Sequence, residues 1–275
     1  MSDELYGGGF SGDVPAVYDA HLGPVLFEGY ARNLALRAAA LGASRVLELA
    51  AGTGISSRAL RDALDPSVSI TVTDLNNDML DVARAKFGPD ENVTFVPADA
   101  MSLAFEDGAF DLLVCQFGVM FVPDKVEAFR EARRVLAPGG TFLFNSWRSL
   151  QDNSPMAIAH AVIGALYPEN PPAFYTVPFS YCDGAAVSAD LTSAGFDGIA
   201  HETVSQDSSI EDWRHIAHGM VFGTPMAAEI VQRGVHDPQA VAKMLADALR
   251  DHYGETPTAL PFSAMVFTGR NPAEA

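Results

Sequence analysis

The chain has 275 residues, a formal net charge of −18 at pH 7 and 48% hydrophobic residues. This length and composition suit one large folded α/β domain, or one domain with an inserted cap. The negative charge argues against a protein that grips nucleic acid or an anionic membrane through phosphate contacts.

The N-terminal region predicts helices. Residues 1–12 contain three consecutive glycines and few apolar anchors, so we expect a loose terminus there. Two helices are expected, at Val14–His21 and Pro24–Ala40. Tyr18 and Phe27 fall on these helices, where an aromatic side chain can serve plain helix packing or cover a ligand.

The strongest local signal is a strand, a glycine turn and a helix in direct succession. Val46–Leu49 is a short apolar run typical of a buried parallel strand, and a helical apolar pattern begins at Ile55. Between them, Gly52 and Gly54 let backbone N–H groups approach a ligand at the positive end of a helix. Glu48 lies inside the strand, where a carboxylate is costly to bury without a partner. This layout is typical of a nucleotide site in a doubly wound α/β fold.

The glycine turn departs from the dinucleotide-binding fingerprint at its last position. That fingerprint is G-x-G-x-x-G, whereas Ser57 occupies the third glycine position here. Glu48 instead stands four residues before Gly52, which gives Glu-x-x-x-Gly-x-Gly. A nicotinamide-dependent oxidoreductase is therefore the less favoured interpretation.

A second strand follows and ends at an acidic residue. Ser69–Thr73 is β-branched and alternating, and Asp74 comes next, 20 positions beyond Gly54. An acidic residue at this place can accept hydrogen bonds from both hydroxyls of a ribose. A helix that Asn76 can cap is expected to run to Phe87.

Two further strands are predicted, and the residues at their ends are candidates for lining a ligand site. Val93–Val96 is the third strand and is followed by Asp99–Met101, and Phe110–Phe117 is the fourth. Gln116 lies near the end of the fourth strand, where strand tips meet the ligand crevice of an open α/β sheet. The aromatic and methionine side chains of Gly118–Phe121 can pack an apolar substrate or merely seal the loop.

A helix from Pro123 to Leu136 and a sharp turn lead to a fifth strand, Thr141–Trp147. The phrase before it, Glu-Ala-Arg-Arg-Val-Leu-Ala-Pro-Gly-Gly, and the glycine turn together resemble class I S-adenosylmethionine (SAM) dependent methyltransferases. The resemblance is to the branch of the ubiquinone and menaquinone biosynthesis methyltransferases (methyltransferase type 11), and it runs roughly from Leu41 to Trp147.

The resemblance implies SAM as cofactor and S-adenosylhomocysteine (SAH) as product. It implies that Glu48 organises the loop, that Asp74 binds ribose beside Leu75, and that Asp99 and Ala100 meet the adenine. The implied cofactor-binding residues are Tyr18, Glu48, Ala50, Gly52, Thr53, Gly54, Asp74, Leu75, Asp99, Ala100, Met101, Gln116 and Phe117.

The second half alternates helices and strands. Helices are expected at Pro155–Tyr167, Gly184–Ala194, Ile210–Phe222, Met226–Arg233 and Pro238–His252, and strands at Gly195–Ser205 and Leu260–Thr268. The predicted fold is α/β: a doubly wound, seven-stranded, Rossmann-like methyltransferase sheet whose last strand pairs antiparallel. We expect N-terminal helices over the cofactor site at 1–40, a SAM-binding core at 41–150, and the rest of the sheet at 151–275, with a helical cap inserted at about 206–258.

The acceptor pocket is less well marked. Its candidate residues are Phe27, Met120, Phe121 and Tyr175. No catalytic dyad is apparent, and the candidates for a general base are His215 and His218, which share a helix face, and Tyr175. The histidine pair lacks a third ligand nearby in the sequence, so we expect no metal.

The predicted function is methyl transfer from SAM to a small-molecule acceptor. An oxygen, nitrogen or carbon acceptor atom fits the sequence, and the aromatic-rich loops favour an apolar or aromatic molecule. The alternative is a non-catalytic SAM- or SAH-binding regulatory protein. No basic leader and no long apolar run are present, so we expect a cytoplasmic protein without a nucleic-acid or membrane partner, and the sequence is compatible with a homodimer.

Overall fold

The computed structural model describes residues 9–172 and 174–273, which form one seven-stranded sheet in the order β3-β2-β1-β4-β5-β7-β6. The strands are β1 Arg45–Glu48, β2 Ser69–Asp74, β3 Val93–Pro97, β4 Phe110–Gln116, β5 Leu136–Trp147, β6 Asp197–Ile210 and β7 Thr258–Arg270. Strands β1 to β5 pair in parallel, and β7 lies antiparallel between β5 and β6. The predicted seven-stranded Rossmann-like fold is confirmed.

Helices cover both faces of the sheet because neighbouring strand residues are buried on opposite sides. In β1, for example, Val46 packs into one core cluster and Leu47 into another. The α-helices are α1 Val14–Val17, α2 Glu28–Ala40, α3 Ile55–Ala63, α4 Asn77–Arg84, α5 Lys125–Val135, α6 Ser154–Leu166, α7 Gly184–Ser193, α8 Trp213–Phe222, α9 Met226–Arg233 and α10 Pro238–Tyr253. Helices α2, α3 and α4 contribute to the cluster around Val46, whereas α5 and α7 contribute to the cluster around Leu47.

The N-terminal helices are continuous, which corrects the predicted break between His21 and Pro24. A π-helix at Tyr18–Phe27 joins α1 to α2 and includes the proline. Most of the second half of this segment is buried, and the helix therefore follows the apolar surface beneath it. The expected loose terminus is also corrected in part: Phe10 packs edge-on against Tyr18, with ring centroids 5.9 Å apart. Residues 1–8 of that prediction lie outside the described residues.

Strands β6 and β7 are longer than predicted. They pair as far as Ile210 and Thr258, because the hydrogen-bonded ribbon continues through the polar stretch of β6 that lacks an apolar pattern. Helices α8, α9 and α10 lie between these two strands and share a core cluster with the π-helix. Within the described residues, no helix combines the length and apolarity needed to cross a membrane.

Candidate functional site

A cleft with a cavity volume of about 190 Å³ opens at the carboxyl ends of the parallel strands. Because these ends meet at one edge of the sheet, the loops that follow β1, β2, β3 and β4 form its floor. The π-helix and α8 form the opposite wall. One half of the cleft is lined by the glycine turn and the end of β2, and the other half is lined by aromatic and aliphatic side chains.

The glycine turn is held open by the carboxylate of Asp74. The Gly52 N–H donates to Asp74 Oδ2 at 2.8 Å, and the Asn76 N–H donates to Asp74 Oδ1 at 2.8 Å. Gly52 has a φ of +57°, and a Cβ added to it would meet no atom within 4 Å, because the residue faces the cleft. Burial raises the pKa of Asp74, and the backbone N–H groups oppose that shift. The turn therefore leaves room for a ligand beside a half-buried carboxylate.

Gly54 serves packing rather than the cleft. Its φ is +77°, and a Cβ there would lie 2.7 Å from the Ala83 Cβ and 3.0 Å from the Ala83 Cα. Gly54 is therefore the point at which α3 and α4 approach each other, and it does not line the cleft.

Glu48 is completely buried beneath the glycine turn and does not line the cleft. The hydroxyl of Ser56 donates to its Oε1, whereas Oε2 has no hydrogen-bond partner among the described residues. Burial raises the pKa of Glu48 to about 7, although the hydrogen bond from Ser56 opposes this shift. The carboxyl couples the strand to the first turn of α3.

The Glu48→Gln variant should become more stable relative to the native protein as the pH rises. Because the folded pKa of about 7 lies above the ordinary 4.5, the stability that the protonated carboxyl contributes is complete below pH 4.5 and is lost as the pH rises through 7. The gain should reach up to about 3 kcal/mol at pH 8. Urea unfolding at pH 5 and pH 8 measures it, with the exposed Glu255→Gln as control. An equal difference at both pH values would contradict the assignment.

Side chains of the N-terminal segment fasten it to the glycine turn. Asp19 accepts a hydrogen bond of 2.6 Å from the Thr53 hydroxyl and also pairs with the Lys86 ammonium. Tyr18 stacks on Phe27, with ring centroids 4.9 Å apart. The sequence signalled the two aromatic residues but not the aspartate, because its partners are distant in the chain.

The other half of the cleft is aromatic. Phe117 and Trp147 stack with centroids 3.9 Å apart, at the ends of β4 and β5. Phe117 has a φ of +52°, and its N–H donates to Asn145 Oδ1 at 2.9 Å. Apolar residues that were not predicted also line the cleft, namely Phe10, Leu22, Leu26, Trp147, Met156, Met220 and Phe262. Phe174 and Phe179, which belong to the aromatic-rich loops that favoured an apolar acceptor, line it as well. Trp147 could have been found from its position at a strand end, whereas most of the others line the cleft through packing of segments that are distant in the chain.

Gln116 lies between the two halves of the cleft. Its Nε2 donates to the Phe27 carbonyl at 2.9 Å, which fixes the amide because a carbonyl can only accept. Its Oε1 is buried and has no hydrogen-bond partner among the described residues.

The structure brings twelve of the predicted residues together on the wall of the cleft. They are Tyr18, Phe27, Ala50, Gly52, Thr53, Asp74, Leu75, Ala100, Gln116, Phe117, Phe121 and Tyr175. The predicted residues that do not line it are Glu48, Gly54, Asp99, Met101, Met120, His215 and His218. The Asp99 carboxylate accepts the Met101 N–H at 2.8 Å, and Met120 is buried in the core.

His215 and His218 lie with His21 at the junction of the π-helix and α8. The rings of His21 and His215 stack at 4.0 Å, and His21 Nδ1 is 3.0 Å from the His215 carbonyl. Burial, followed by the nearby rings of His21 and His215, lowers the pKa of His218. In the part of the chain that the structure describes, no three His, Cys, Asp or Glu side chains are arranged to hold a metal ion.

Part of the chain is similar in sequence to known methyltransferases. Residues 47–144 match the family model described as a methyltransferase domain. Over 97 residues the chain is 41% identical to the demethylmenaquinone methyltransferase of Staphylococcus aureus. This alignment covers 35% of this chain and 40% of the relative. The matched region thus spans about 40% of the length of the curated relatives.

Solved structures share the fold over most of the chain. The YcgJ protein of Bacillus subtilis has a TM-score of 0.57 and 20% identity, covering 90% of this chain and all of that one. A phosphoethanolamine N-methyltransferase of Haemonchus contortus, in complex with phosphomonomethylethanolamine and SAH, has a TM-score of 0.53 and 17% identity, covering 83% of this chain and 49% of that one. Residues 47–144 are therefore similar to a methyltransferase domain, and the solved structures share the fold of the chain.

Proposed function

We propose that the protein transfers a methyl group from SAM to an apolar small molecule. The observation that carries this proposal is a single cleft with two unlike halves. The half at Gly52 and Asp74 offers backbone, a half-buried carboxylate and small apolar residues, whereas the other half is aromatic. A ligand in the first half and an acceptor in the second would meet near Gln116 and Phe117.

The residues present fit SAM. Gly52 leaves open space where any other residue would place a side chain, and each Asp74 oxygen keeps a lone pair for a ribose hydroxyl after accepting one N–H. Leu75 and Ala100 line the same half and suit the faces of an adenine. Bound there, the cofactor supplies a positively charged sulfur with a transferable methyl group.

The protein's own contribution is to orient the acceptor and exclude water. Phe117 is fixed by Asn145 and stacked on Trp147, so it presents a rigid surface to an acceptor ring. The π-helix, fastened through Asp19, covers the cleft from the side opposite the strands. Orientation and water exclusion are the means by which such a transfer proceeds without a covalent enzyme intermediate.

The aromatic half favours this function over that of a non-catalytic SAM-binding protein. A regulatory protein would have this space filled by cap side chains, whereas the cleft stays open here. The test is incubation of the purified protein with SAM and a panel of apolar aromatic molecules, with release of SAH and a gain of one methyl mass as readouts. Formation of a methylated product supports the proposal; binding of SAH with no product from any apolar acceptor would favour the regulatory role.

A further inference from the structure

We propose that Asp19 is a positioning residue that sets the rate at which the cofactor enters and leaves the cleft. This inference rests on the proposed function. Asp19 belongs to residues 10–27, which we call the strap and which run across the cleft opposite the strand ends. Asp19 itself does not line the cleft, so it acts on the cofactor through the strap and the glycine turn. The strap residues that do line the cleft are Phe10, Tyr18, Leu22, Leu26 and Phe27.

The first half of the strap, residues 10–21, lies over the cofactor half of the cleft. The Asn76 side chain, in the loop after β2, donates to the Phe10 carbonyl at 2.5 Å. Tyr18 lies close enough to Asp74 that the charge of this carboxylate, after burial, raises the pKa of the Tyr18 hydroxyl. Because the strand ends form the floor of the cleft, a cofactor beside Asp74 leaves by the side that the strap covers.

The two halves of the strap are attached to the protein differently. In residues 22–27 every residue except Pro24 is buried, which anchors this half in the core. In residues 10–21 Pro15 alone is buried. A segment with few buried apolar contacts opens at a lower free-energy cost than the rest of a structure. The boundary falls within the π-helix, a rare helix type that is frequent at functional sites. The first half can therefore open while the second half stays in place.

Asp19 holds the first half of the strap closed through two partners. Its Oδ1 accepts the Thr53 hydroxyl at 2.6 Å, and Thr53 is buried in the glycine turn. The same oxygen pairs with the ammonium of Lys86, just beyond α4. The side chains of Asp19 and Lys86 are 26% and 23% exposed, so water screens this pair less than it screens an open surface pair. Opening the strap breaks a hydrogen bond to an ionised group and an ion pair at once.

The contacts of Asp19 do not depend on the cofactor. Neither Asp19 nor Lys86 lines the cleft, and Thr53 donates its hydroxyl hydrogen to Asp19. The same contacts therefore stabilise the closed strap whether or not the cofactor is bound. Such contacts slow entry and exit by the same factor and leave the dissociation constant, which is the ratio of the two rates, unchanged. A side chain that binds the cofactor directly would change the dissociation constant instead.

Rapid mixing of the protein with SAH tests this inference, because Trp147 lines the cleft and its fluorescence reports binding. The slope of the observed rate against SAH concentration gives the association rate constant, and the intercept gives the dissociation rate constant. For Asp19→Ala we expect both constants to rise about tenfold, with a calorimetric dissociation constant within about threefold of the native value. Asp19→Asn can still accept the Thr53 hydroxyl but loses the ion pair, so its rates should fall between those of the native protein and Asp19→Ala.

Glu202→Ala is the matched control, because it removes another ion pair of the same continuous helical segment. Glu202 pairs with Arg37 and so fastens α2 to β6, and neither residue lines the cleft. This variant should keep the native rates. Native rates in Asp19→Ala would overturn the inference. Faster dissociation of SAH without faster association would also overturn it, because Asp19 would then contribute to affinity rather than to exchange.

Hydrogen exchange of the native protein tests the inference without a substitution. If opening of residues 10–21 releases the cofactor, SAH at ten times its dissociation constant should slow amide exchange there about tenfold. Exchange in α2, which lies beyond the strap, should stay unchanged. Equal exchange of residues 10–21 with and without SAH would overturn the inference and leave methyl transfer standing. Failure of the native protein to bind SAH in the calorimetric titration would instead remove the proposed function itself.

Discussion

The Gly52→Val variant should remain folded and lose measurable binding of SAH. A side chain at this position would project into open space of the cleft, where the structure shows no atom within 4 Å of an added Cβ. That space is the part of the cleft that fits the cofactor, so a branched side chain would fill it. The φ of +57° adds a cost of about 1–2 kcal/mol for valine, which should lower the melting temperature by several degrees without unfolding the protein.

Gly54→Val is the matched control, because it changes the same turn but should disrupt folding rather than cofactor binding. Its side chain would collide with Ala83 between α3 and α4, so we expect loss of the cooperative fold rather than a folded protein without ligand. Circular dichroism and calorimetric titration of both variants distinguish the outcomes. If Gly52→Val bound SAH like the native protein, the assignment of this turn to the cofactor would be wrong.

The Asp74→Ala variant should bind SAH more weakly by about 1–3 kcal/mol, or roughly 5-fold to 150-fold. Removing the carboxylate leaves the ribose hydroxyls unpaired and also deprives the Gly52 N–H of its acceptor at 2.8 Å. Calorimetric titration measures the change. Asp78→Ala is the control, since Asp78 is exposed nearby, accepts the Gly12 N–H at 3.2 Å and does not line the cleft. Unchanged affinity of the Asp74 variant would remove this residue from the site.

The central part of the fold was predictable because the spacing of its apolar residues in the sequence matches the period of the strands and helices that they form. The apolar runs at β1 and β4 are buried on both faces of the sheet, and glycine or proline marks several of the element ends. The π-helix at Tyr18–Phe27 was not predictable, since Pro24 reads as a helix boundary and only contacts made elsewhere keep the helix continuous. The far end of β6 was missed for a similar reason, because its polar residues are held by pairing with β7.

The candidate site likewise contains residues that the sequence predicted and residues that it did not predict. Asp74 ends β2 and Gly52 lies in the turn after β1, so local sequence places both at the edge of the sheet where ligands bind. Asp19 holds the glycine turn through Thr53, and Met220 lines the cleft from α8; both take these positions through contacts that no local pattern encodes. Residues at the strand ends and the helix aromatics Tyr18 and Phe27 were therefore within reach of the sequence, whereas Asp19 and Met220, whose partners are distant in the chain, were not.

The most direct measurement is calorimetric titration of the purified protein with SAH, with NADH as the parallel control. We predict a dissociation constant on the order of micromolar for SAH and no heat of binding for NADH, because the turn has Ser57 in place of a third glycine. Tight binding of NADH without binding of SAH would contradict the assignment of the cleft and make a nicotinamide-dependent oxidoreductase the better interpretation.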